Sequence, residues 1–74
     1  MIKKFERVIL LKNIGKSGLV KGDVGTVVEI YNNGAGFDVE FFAMDGSTIA
    51  VETLRAEYLR PAGKKEILHS RELV

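Results

Sequence analysis

The chain contains no cysteine and no tryptophan, a single proline (Pro61) and a single histidine (His69). Without cysteine, neither a disulfide nor a thiolate metal site can staple the fold, and the lack suits a reducing compartment. His69 lies in "EILHSREL" with Glu66, Ser70 and Glu72 nearby, but one histidine with no second cluster reads as a surface residue rather than a metal ligand. Ser17, Ser47 and Ser70 stand in no nucleophile-elbow motif, so nucleophilic catalysis has no support. Long apolar runs are also missing. In "MIKKFERVILLKN" the charges of Glu6 and Arg7 leave only residues 8–11 as an apolar run, too short for a signal peptide or a membrane span. Together these absences predict a non-enzymatic, cofactor-free protein of the cytoplasm with no membrane attachment.

What remains is enough for one small domain. At 74 residues with 46% hydrophobic content, stability must come from burial alone. Ordering the backbone costs roughly 1–2 kcal/mol per residue, so the margin is thin and self-association is an ordinary remedy. The net charge of +1 argues against an electrostatic grip on nucleic acid. Its distribution is uneven. Residues 1–21 carry six basic groups against one acid, residues 22–57 one against seven, and residues 58–74 four against two.

Residues 18–31, "GLVKGDVGTVVEIY", place three glycines in eight positions ahead of a β-branched run. No helix follows for a phosphate to cap, so the glycines read as architecture. Gly22 frees a turn, and Gly25 lets a strand coil where a Cβ would collide with its neighbour. Residues 8–12 predict a first strand, 13–18 a loop and 25–31 a strand. Alternation puts Val24, Thr26, Val28 and Ile30 on one face of that strand and Val27, Glu29 and Tyr31 on the other. "NNGAG" predicts a tight reversal at Gly34. In "FDVEFF", Phe37, Val39 and Phe41 point inward while Asp38 and Glu40 point outward. "MDGS" turns at Gly46, "STIAVET" returns as a strand, and "LRAEYLRP" holds one helical or 3-10 turn and a last strand ended by Pro61.

Five short antiparallel strands describe an all-β SH3-like barrel over residues 1–61. Residues 62–74 are a C-terminal tail, either a frayed end or a short helix with Ile67, Arg71 and Val74 along one side. "RVILLKNIGKSGLVKGDVGTVVEIY" with "FDVEFFAMDGSTIAVETLRAEYLRP" resembles the small bacterial proteins of domain-of-unknown-function family 4926. The shared features are the apolar first strand, "GL.KGDVGTVVE", "VEF", a "DG" turn and a final "L.A..L". At residues 13–15 the chain departs from that family's Asp-Leu-Pro-like stretch. The resemblance implies an SH3-like barrel, no assigned activity, and an accessory role with immunity or antitoxin action among its readings. More weakly, "KGDVGTVVEI" is similar to KOW-type segments, which implies nucleic-acid or protein binding.

The paired carboxylates Asp38 and Glu40 lie on an outer face, where solvation is their ordinary role and acid–base work would need a cleft. They also repel phosphate near the outward aromatics Tyr31 and Phe42. The loop lysines Lys12, Lys16 and Lys21 keep a nucleic-acid partner as the alternative reading. The more informative feature is apolarity on both faces of the strands. A barrel this small has one inside, so some of Ile9, Leu11, Val27, Tyr31, Phe42 and Ile49 must lie outside it. Isolated apolar residues are normal on a surface. A contiguous group would be covered by the tail, by a second subunit or by a different protein. The expected function is protein contact or self-association.

Overall fold

The computed structural model describes residues 1–73, and Val74 lies outside the described residues. Five antiparallel strands form one sheet: β1 (Arg7–Leu10), β2 (Val24–Tyr31), β3 (Gly36–Phe42), β4 (Thr48–Arg55) and β5 (Leu59–Pro61). Their order across the sheet is β4-β3-β2-β1-β5. The all-β class is as the sequence predicts, with two 3-10 turns (Gly15–Ser17 and Ala56–Tyr58) in place of one.

The sheet is curled but not closed. β4 and β5 are its two edges, and only the second 3-10 turn separates them in sequence. From Arg55 to Leu59 the chain takes four steps, at most about 14 Å. The edges of a flat five-stranded sheet would lie about 19 Å apart. The sheet must therefore bend until Leu54 of β4 and Leu59 of β5 enter the same core as Val8, Leu10, Phe37, Val39 and Phe41.

β3 alternates as its sequence predicts, with Phe37, Val39 and Phe41 buried. β2 does not. The register shifts between Val27 and Glu29, because Val27 pairs with Val39 and Ile30 with Phe37. The extra residue, Val28, is a bulge, and it brings Val27 and Ile30 onto the same core face. Strict alternation inverts the first half of this strand: Gly25 and Val27 point inward, while Val24 is exposed.

The reversal between β2 and β3 uses left-handed backbone at Asn32 (φ 49°), Asn33 (φ 58°) and Gly34 (φ 100°), as the "NNG" motif requires. The long connection from β1 to β2 closes on itself where the Gly22 amide donates to the Leu10 carbonyl (2.8 Å) and the Leu10 amide to that of Asp23 (2.9 Å). Gly22, at φ 97°, permits that closure.

The tail contains no helix among the described residues, contrary to its apolar spacing. So short a segment forms a marginal helix in water, and its polar groups bind the sheet instead. Arg60 holds Glu66 through both guanidinium nitrogens (2.9 and 2.6 Å), and the Gly63 amide donates to the same carboxylate. No helix among the described residues is long and apolar enough to cross a membrane.

Candidate protein-contact surface

β3 and β4 slip by one residue at their turn end. Phe41 pairs with Ala50, but Phe42 pairs with Thr48, so Ile49 is the additional residue. Phe41 stays in the core while Phe42 is 47% exposed, and Ile49 is exposed beside it. The turn that follows is held by Asp45, which accepts from the Ser47 amide (2.9 Å) and hydroxyl (2.7 Å). Its tip pushes Met44 into solvent. Val20 and Val24 come from the other side, and all five apolar side chains line one cleft of about 600 Å³.

The tail forms the far wall of this cleft with residues 69–73. Arg71 donates to both carboxylate oxygens of Asp23 (2.8 and 2.6 Å) and to the Gly18 carbonyl (3.0 Å). Asp23 also accepts from the Val20 amide (2.9 Å). Burial pushes the Asp23 carboxyl up, but the hydrogen bonds from Arg71 and Val20 and the nearby positive charge outweigh it. The group is held below the usual carboxylate range. His69 and Ser70 line the same cleft, but Asp23 is already committed to Arg71.

The outer face of β2, β3 and β4 is acidic and hydroxyl-rich. Tyr31 and Thr53 donate to Asp38 (2.7 and 2.6 Å), and Thr48 donates to Glu40 (2.5 Å). The Thr53 hydroxyl, then that of Tyr31, lowers the Asp38 pKa. A lowered carboxyl is a poor general base and a good repellent of phosphate.

Glu52 was not singled out by the sequence. It lies on the core face of β4 opposite Val39, with its side chain 14% exposed. The Ser17 hydroxyl donates to it, and Lys16 Nζ lies 3.7 Å away. A signal was present: with Phe37, Val39 and Phe41 inward, Leu54 and Ala50 share their side, and Glu52 falls between them. Lys12, nearby in the loop, sits 4.6 Å over the Tyr58 ring and 3.9 Å from Glu57. Among the described residues no group of three or more His, Asp or Glu side chains is placed to hold a metal ion.

Of the residues expected outside the barrel, Phe42 and Ile49 meet at the cleft. Ile9 is half-buried and stands opposite Val24 across the β1–β2 pair, and Leu11 is half-buried at the end of β1. Tyr31 is exposed at the opposite end of β2, away from the cleft. Val27 is a correction: it is 0% exposed, because the bulge at Val28 turns it into the core. Val20, Val24 and Met44 were missed, Val24 through the inverted face of β2 and the other two because they sit outside the strands, where there is no periodicity.

Residues 4–61 match the model of the family described as Domain of unknown function (DUF4926), and the chain belongs to that family. No curated protein and no solved structure matches the chain.

Proposed function

We propose that this member of the DUF4926 family is a non-enzymatic, cytoplasmic binding module that acts through protein contact, and that its apolar end pairs with a second copy. The observation that carries this reading is the gathering of Val20, Val24, Phe42, Met44 and Ile49 around one cleft. Burying apolar surface stabilises by roughly 25 cal/mol per Å². A small domain gains proportionally more from such a contact than a large one. The same patch on two copies buries both at once and closes about a two-fold axis.

The acidic outer sheet disfavours nucleic acid, since Glu29, Asp38 and Glu40 occupy the strand faces that would stack bases. The decisive measurement is light scattering of the wild type and Phe42→Glu at micromolar concentration, with circular dichroism as the folding control. The expected result is a dimer or larger that falls to a folded monomer on substitution. A wild type that is monomeric across this range overturns the reading. A gel shift on random RNA and DNA that weakens steeply with salt would favour the nucleic-acid alternative.

A further inference from the structure

We infer that the cleft is completed by the tail of a second copy, an inference that rests on the pairing proposed above. Arg71 is the first ground. It reaches 48 residues back to Asp23 with a bidentate contact and adds the Gly18 carbonyl, a three-bond recognition that fixes one arginine in one place.

The second ground is what the tail leaves undone within its own chain. Ile67 is 94% exposed and Leu68 82%, while the apolar cleft beside residues 69–73 stays open. Chain direction explains this. The tail leaves β5 at the Arg7 end of β1, where the Ala62 amide donates to the Arg7 carbonyl (3.1 Å). Asp23 lies at the other end of β1, beside Leu10. To reach its own Asp23 the tail must double back through the turn closed by Arg60 and Glu66. The two apolar side chains fall directly after that turn, and the reach to Asp23 is made with them in solvent.

Reaching a neighbouring copy, the segment after that turn is no longer tied to one sheet at both ends. The five steps from Glu66 to Arg71 span about 17 Å when extended, so the exchange requires Asp23 of the other copy to lie within that distance of Glu66. The Arg60–Glu66 turn stays in its own chain. The Arg71–Asp23 pair broken within each chain is remade between chains, so no ion pair is lost. Ile67 and Leu68 are then free to bury against Val24, Phe42 and Ile49 of the other copy, and reciprocal exchange closes the dimer.

A charge swap tests this. Asp23→Arg and Arg71→Asp are each mismatched alone, whether the contact lies within or between chains. Mixed one to one, both contacts between unlike chains are matched, while every contact within a chain stays mismatched. The expected result by light scattering is a monomer for each variant and a doubled mass for the mixture. Variants that each dimerise like the wild type overturn the tail exchange and leave the pairing intact. A monomeric mixture made from monomeric variants also overturns it. A monomeric wild type overturns both the exchange and the pairing. Asp23 also holds the Val20 amide, so Asp23→Arg risks misfolding, and a second measurement covers that case. A labelled peptide of residues 62–74 should bind full-length Arg71→Ala, and an Arg71→Ala peptide should bind at least tenfold more weakly. Equal binding of the two peptides, or no binding of either, overturns the inference.

Discussion

A Cβ placed on Gly25 would overlap Cγ1 of Val39 and lie 2.9 Å from Cε2 of Phe41. Gly25 points into the core from β2 opposite Val8, and the side chains of β3 close directly over its backbone. Gly25→Ala should therefore destabilise the fold by about 1–3 kcal/mol through forced displacement of core side chains. Gly46→Ala is the comparison. Nothing crowds that site, and its cost comes from a φ of 89° alone. A thermal melt in which Gly25→Ala is as stable as the wild type would refute the packing argument.

Facing on β3 makes a second prediction. Phe41→Ala removes a core ring and should cost about 3–5 kcal/mol, enough to unfold most of so small a domain. Glu40→Ala loses only the exposed contact with Thr48 and should change stability by no more than about 0.5 kcal/mol. Urea denaturation of the two variants checks the contrast, and comparable losses would mean that the strand faces the other way.

Glu52 and Ser17 offer a third. A carboxylate on a core face, shielded from water and bound by one hydroxyl, depends on that hydroxyl. Ser17→Ala should cost about 1–3 kcal/mol, whereas Ser17→Ala in a Glu52→Gln background should cost less. The coupling from the double-mutant cycle is expected at about 0.5–3 kcal/mol. Additive losses would show that Ser17 and Glu52 do not act as a pair.

These residues also mark how far the sequence could be read. Turn chemistry and strand composition are local, so "NNG", "DG" and the alternation of "FDVEFF" translate directly into the reversals and β3. The Gly25 contact was legible too, as a missing Cβ in a β-branched run. Bulges were not. The extra residues at Val28 and Ile49 follow from sheet curvature, which no window of neighbouring residues encodes. One misread face placed Val27 outside and kept Val24 out of the contact surface. Arg71 and Asp23, like Ser17 and Glu52, meet across long sequence separations, and nothing in their local context pairs them.

Acid should release the tail, and the Glu66 carboxyl reports its first anchor. Hydrogen bonds from Arg60, then the Gly63 amide, and the Arg60 charge bring its pKa from 4.5 down to about 2. A carboxyl lowered in the folded state contributes fully above its ordinary pKa and loses that contribution as pH falls through the folded value. The contact should therefore be intact above about pH 4.5 and fade towards pH 2. Asp23, also held below the ordinary range, releases Arg71 in the same direction. Carboxyl-detected NMR should place the Glu66 midpoint near 2 in the wild type, and Arg60→Ala should raise it towards the ordinary range. Because the pair is exposed, added salt should raise the midpoint as well. A Glu66 midpoint near 4.5 in the wild type, unmoved by Arg60→Ala, would mean that the tail is not anchored at this turn.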